Sequence, residues 1–292
     1  MVAVASNKGG VGKTTLATNL AIYLRALHDE LPVLLVTLDD QSIVERMFRI
    51  GGGAPSARNL TQAFAQRTLD GVVQLGQYGV HFVPPCADLE ALKLRVSEPF
   101  ALKEILDATH WEGVVLLDTK SDLEALTRNA LAAADLAILP VADQTSLDEA
   151  EKAFRLLESH GGRRERGRVL LTLVDRRTKL DAGGRDLYER LIAAVDVQGW
   201  PRFETHFSRS PRVEALNSGS GRPRSILHEA KGTAAHRHLR ELGEEVVKLL
   251  GLDAPEAEPP ALGPGAARPP ARGERDLVSD LRNALFRGLR GR

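Results

Sequence analysis

Apolar positions along this chain fall into two alternating patterns. Short uninterrupted runs occur at Val2-Ala3-Val4-Ala5, Val33-Leu34-Leu35-Val36, Val80-His81-Phe82-Val83, Val114-Val115-Leu116-Leu117, Leu136-Ala137-Ile138-Leu139 and Val169-Leu170-Leu171-Thr172-Leu173-Val174. Runs this short, without polar alternation, predict strands covered on both faces, as in a parallel sheet. Between them, Leu102 to Ala108, Leu123 to Ala133, Leu147 to Leu157, Leu187 to Val195 and His238 to Leu250 repeat their apolar residues at helical period. The alternation predicts an α/β fold: a doubly wound, mostly parallel sheet with helices on both faces, binding ligands at the carboxyl ends of its strands.

The pattern stops near residue 251. Leu252 to Gly273 is rich in Pro, Ala and Gly and almost without large apolar residues, which predicts a flexible linker. Beyond it, Leu277, Leu281, Leu285 and Leu289 share one helical stripe with arginines elsewhere, so 274–292 reads as a short basic amphipathic tail helix. The expected organisation is a domain over 1–251, a linker over 252–273 and the tail.

The first strand leads into chemistry. Lys8-Gly9-Gly10-Val11-Gly12-Lys13-Thr14-Thr15 separates the run at Val2 from the helix-like Leu16 to Leu24. A strand, a glycine turn and a helix in that order point backbone N–H groups and a helix dipole into one cavity, where a nucleoside triphosphate fits. Lys13 reaches the β and γ phosphates, the Thr14 hydroxyl is placed for Mg2+, and Thr15 for the α phosphate. Gly9, Gly10, Val11 and Gly12 supply the turn itself.

Charge and cysteine content narrow the class. The 292 residues carry 39 basic and 39 acidic side chains, but residues 1 to 154 have 13 and 20 while 155 to 240 have 18 and 10. A basic half on a neutral protein suggests a face for polyanions. One cysteine, Cys86, excludes a disulfide framework and any cysteine-rich metal site, and is read as an inert small residue. With neither a signal segment nor an 18-residue apolar stretch, the expectation is a cytoplasmic protein that does not span a membrane.

One departure is diagnostic. An ordinary phosphate loop starts with glycine, whereas here Asn7 holds that place and Lys8 follows, giving two lysines in one turn. This resembles the K-G-G-x-G-K-[ST]-T loop of the ParA/MinD family of P-loop ATPases, most closely its ParA side. The resemblance extends to about residue 250. It implies ATP and Mg2+ as ligands, slow hydrolysis to ADP and phosphate, and a homodimer formed on ATP in which Lys8 reaches the partner's nucleotide. Lys8, Lys13 and Asp39 would then be catalytic. Asp39, in Thr37-Leu38-Asp39-Asp40-Gln41, would orient the attacking water, and Asp118, delivered by the run at Val114, would join Thr14 and Asp39 at the metal. Family members read D-x-D-P-Q and D-x-P-P at these two places, so Thr37, Asp40 and Thr119-Lys120-Ser121-Asp122 depart from the pattern.

Thr172-Leu173-Val174-Asp175-Arg176-Arg177-Thr178 resembles the family's T-x-x-D-x-R-T run, placing Asp175 and Arg176 beside the adenine or, as the bland reading, in a surface turn. Thr205 to Ala215 resembles a later family segment, and Arg209, Arg212, Arg222, Arg224 and Lys231 match positions that meet DNA without reading sequence. The implied role is nucleoid-associated partitioning or positioning of a chromosome, plasmid or other cargo, with a ParB-like or other activating adaptor. The alternatives are a MinD-like ATPase using its tail helix at a membrane, or an ATP-binding scaffold with little hydrolysis.

Overall fold

The computed structural model describes residues 1–39, 43–51, 58–86, 88–96, 98–159, 164–174, 186–217 and 222–252. Among these residues eight strands, β1 (Val2–Val4), β2 (Val33–Leu38), β3 (Gln74–Leu75), β4 (His81–Val83), β5 (Val114–Thr119), β6 (Leu136–Val141), β7 (Gly167–Val174) and β8 (Phe207–Ser208), form one sheet. Their order is β3-β4-β2-β5-β1-β6-β7-β8, parallel except where β3 runs against β4.

All six apolar runs form strands, because buried residues alternate to opposite faces of the sheet. Val2, Val4, Val33 and Leu35 face one core cluster, while Ala3, Leu34 and Val36 face another. The first face is covered by α1 (Lys13–Leu27), α2 (Ile43–Phe48), α10 (Ile226–Glu229) and α11 (Ala234–Leu249), with α9 (Pro211–Asn217) at its margin. The second carries α3 (Leu60–Gln66), α4 (Leu89–Arg95), α5 (Ala101–Thr109) and α6 (Ala125–Ala133). Leu139, Val169 and Leu171 pack against α7 (Gln144–Ser159) and α8 (Leu187–Val197).

The helical-period segments appear as α5, α6, α7, α8 and α11. Missed were β3, β8 and the short helices, which are too brief to show a period. Instead, local hydrogen bonds mark their ends: the Asn59 side chain accepts from Thr61 N at 3.0 Å to open α3, and Asp88 accepts from Ala91 N at 2.9 Å to open α4. The linker and tail helix expected after Leu252 lie outside the described residues.

Helix α1 is buried along nearly its whole length, because Leu239, Leu242, Val246 and Val247 of α11 cover the side turned away from the sheet. Each such buried side chain contributes roughly 1.5–3 kcal/mol. The amino end of α1 is thereby fixed against the central strands. Strand β1 lies between β5 and β6, and the register sets Val4 opposite Asp118 and Thr37 opposite Asp118. The carboxyl ends of β1, β5 and β2 therefore meet in one row.

Candidate nucleotide site

The glycine turn leaves β1 at that row. Gly10 and Gly12 hold φ of 78° and 89°, in the left-handed region where a side chain costs about 1–2 kcal/mol. Gly12 is also the N-cap of α1, whose first turn has neither a side-chain cap nor an acidic residue. Its first-turn backbone N–H groups and positive dipole end thus face the turn, as an anion site requires.

Lys13 opens the helix and is buried. Its ammonium donates to Lys8 O at 3.2 Å and Ser121 Oγ at 2.6 Å. Burial lowers its pKa, against the opposing pull of Asp118, Asp39 and Asp122. A phosphate group is the natural further partner for such a desolvated cation.

Next in the helix, Thr14 Oγ1 donates to Asp118 Oδ1 at 3.3 Å, and from β2 the Thr37 hydroxyl donates to Asp118 Oδ2 at 3.3 Å. Asp118 is fully buried. Burial pushes its carboxyl up to about 7 and the nearby charge of Asp39 adds to this, while Thr14, Lys13 and Thr37 act the other way. Asp39 is itself 4% exposed, and its N–H donates to Thr37 Oγ1 at 3.4 Å. Thr37 therefore gives a donor to Asp118 where the family pattern has a second acid, which spares the pocket one more buried negative charge.

Thr14, Asp118 and Asp39 are hard oxygen donors, all buried near Lys13 at this end of the sheet. Among the described residues no cluster of three or more His, Cys, Asp or Glu forms a metal cage. That donor set suits Mg2+, which keeps several waters and binds through one or two side chains plus substrate phosphates.

Lys8 points elsewhere. Its ammonium lies 2.5 Å from Asp143 Oδ2, next to the start of α7, and Asn7 Nδ2 donates to Glu149 Oε2 at 2.6 Å farther along that helix. The second lysine is thus directed along the surface and away from its own phosphate turn. Sequence reasoning missed Ser121, Thr37 as a donor, and Asp143. No spacing rule announces them, since each acts across 81 or more residues.

The expected adenine contacts, Asp175 and Arg176, lie outside the described residues, as do Asp40 and Gln41. The basic candidates separate. Arg209 follows β8 at the carboxyl end of the sheet, where its N–H donates to Val174 O at 3.0 Å. Its guanidinium is 62% exposed and pairs with Glu214 at 3.0 Å. Arg212 is exposed beside it at the start of α9, and Arg224 and Lys231 are exposed on either side of α10. Arg222 instead folds onto the C-terminal end of α2, donating to Arg46 O at 2.9 Å and to Arg49 O. Among the described residues no helix is long and apolar enough to cross a membrane.

A parallel sheet with a glycine turn, a buried lysine and a threonine-aspartate pair at its carboxyl edge defines a P-loop nucleotide-binding protein. A family model described as an AAA domain matches residues 1–156. Over 255 residues the chain is 37% identical to the chromosome-partitioning ATPase Soj of Thermus thermophilus, covering 84% of this chain and 94% of that protein. It is 30% identical to the chromosome partitioning protein ParA of Caulobacter vibrioides, with coverage of 85% and 93%. A structure of cobyrinic acid a,c-diamide synthase from Mycobacterium smegmatis, with bound ATP analogue and magnesium, superposes with a TM-score of 0.64 at 21% identity over 86% of this chain and 95% of that one, a likeness of fold alone. The chain belongs to the ParA/MinD family of P-loop ATPases, on its Soj/ParA side.

Proposed function

We propose that the protein is an ATP-dependent dimerising switch that hydrolyses ATP slowly, binds DNA without sequence preference and thereby partitions or positions a chromosome, plasmid or other cargo. The observation that carries this reading is the division of labour between two lysines of one turn. Lys13 is buried among the groups that would hold phosphate, while Lys8 projects from the same turn to the half-exposed Asp143.

In this reading the N–H groups of the glycine turn, Lys13 and Thr15 hold the phosphates of ATP. Thr14 and Asp118 would hold Mg2+, which when bound would neutralise charge on the phosphates. Asp39 orients the attacking water, and Lys8 leaves Asp143 to meet the nucleotide of a second copy. Two ATP-loaded chains then associate because each supplies a cation that the other's phosphates need. Arg209, Arg212, Arg224 and Lys231 neutralise DNA phosphates in the dimer, which would place the protein on the nucleoid. An adaptor of ParB type or another kind accelerates hydrolysis and releases the dimer.

The test is single-turnover hydrolysis of radiolabelled ATP by the full chain and by Asp39→Ala. The reading expects both to bind ATP and only the parent to release phosphate. Equal phosphate release from the two would remove Asp39 from the chemistry and with it this mechanism.

A further inference from the structure

Beyond β5 the chain does not turn with the paired prolines of the family pattern. Thr119 anchors the turn, its hydroxyl donating to Val4 O at 2.9 Å on the strand that feeds the phosphate loop. Lys120 pairs with Glu90 at 3.0 Å, and Asp122 with Lys93 at 3.0 Å. Asp122 Oδ1 also accepts from Thr127 Oγ1 at 3.0 Å and from Glu124 N at 3.1 Å. Ion pairs from both sides thus fasten the segment to α4. Between them sits Ser121, whose side chain makes neither of these pairs and is exposed at the mouth of the turn.

The Ser121 hydroxyl is positioned over the phosphate cradle. Its oxygen accepts from the Lys13 ammonium at 2.6 Å, and a β-carbon built on Gly9 would lie 3.8 Å from it. An ammonium has only donors, so the hydroxyl must serve as acceptor in that bond. Its own proton is left to donate into the space in front of the glycine turn. A hydroxyl held by a buried lysine and presenting an O–H outward suits an oxyanion that arrives last along the phosphate chain.

We propose that Ser121 hydrogen-bonds the terminal phosphate of ATP and so makes the site prefer ATP to ADP. This rests on the ATP-switch reading above and assigns its triphosphate sensing to a side chain that the family motifs do not include. Lys120 and Asp122, tied to Glu90 and Lys93 of α4, hold Ser121 in this place from either side.

The experiment measures the dissociation constants of Mg2+-ATPγS and Mg2+-ADP by displacement of a fluorescent ADP analogue. It uses the full chain, Ser121→Ala and Ser121→Thr, at concentrations where light scattering shows one chain. A hydrogen bond to a charged group is lost in the alanine variant, so ATPγS binding should weaken roughly tenfold while ADP changes less than twofold. The threonine variant, which keeps the hydroxyl, should restore the preference. Equal weakening of both nucleotides would make Ser121 only a prop for Lys13 and overturn the inference, as would no change in either. A parent chain that binds ADP and ATPγS alike would also sink it while leaving the phosphate site standing. Binding of neither nucleotide would instead refute the ATPase reading itself.

Discussion

The contact between Lys8 and Asp143 should act as a brake on dimerisation. If Lys8 must reach the nucleotide of a second chain, each association breaks this pair twice, once in each copy. The two side chains are 30% and 44% exposed, so each pair is worth about 0.2–1 kcal/mol rather than the larger values of buried pairs. Releasing two amounts to at most ~2 kcal/mol, or roughly thirtyfold in the dimer constant. Asp143→Asn removes the charge but keeps an oxygen for Ser146 N, which Asp143 Oδ1 accepts at 2.9 Å at the start of α7. Sedimentation with a non-hydrolysable ATP analogue should show the variant associating between about twofold and thirtyfold more tightly than the parent. The gain should shrink as salt rises, because the pair is partly solvated and already screened in the parent. Association that is unchanged or weaker, with analogue binding intact, would refute the idea that Lys8 leaves Asp143 to meet a partner.

Two further outcomes follow from the site and the basic surface. Burial holds the Asp118 proton up to about 7 in the folded chain, against 3.8 for a free aspartate, so the folded state binds more protons between those values. Stability of the nucleotide-free protein should therefore fall as pH rises from about 4 to about 7, by at most ~4 kcal/mol, and level off above. Asp118→Asn should lose that slope in urea titrations with chelator, and an unchanged slope would assign it to other groups. Reversing Arg209 and Arg212 together to Glu should weaken binding of the ATP-loaded dimer to random duplex DNA and lower its log-log salt slope by about 4, two from each chain. An unaltered slope would take both arginines off the DNA surface.

Legibility in the sequence followed the range of the physics. The phosphate turn could be read because its chemistry demands residue types at fixed spacing within one strand-loop-helix unit, and Asp118 because an unbroken apolar run delivers it. The central strands showed equally well, since burial on both faces leaves no polar alternation. What was hidden depends on register. Thr37 meets Asp118 only because β2 pairs with β5, and Ser121 meets Lys13 only because β5 lies beside β1. Arg222 read as one more basic residue of a patch, yet its guanidinium donates to carbonyls at the C-terminal end of α2, contacts 176 and 173 residues distant in sequence. The departures at Thr37 and at Lys120-Ser121-Asp122 signalled that something differed, but only the fold showed which partners they had gained.

In the proposed switch, nucleoside triphosphate joins two chains through Lys8. Light scattering with Mg2+ and a non-hydrolysable ATP analogue, for the parent and for Lys8→Ala, tests it directly. The parent should reach twice the single-chain mass, and the variant should keep a single-chain mass while it still binds the analogue. A parent that stays single when saturated, or a variant that pairs as well as the parent, contradicts it.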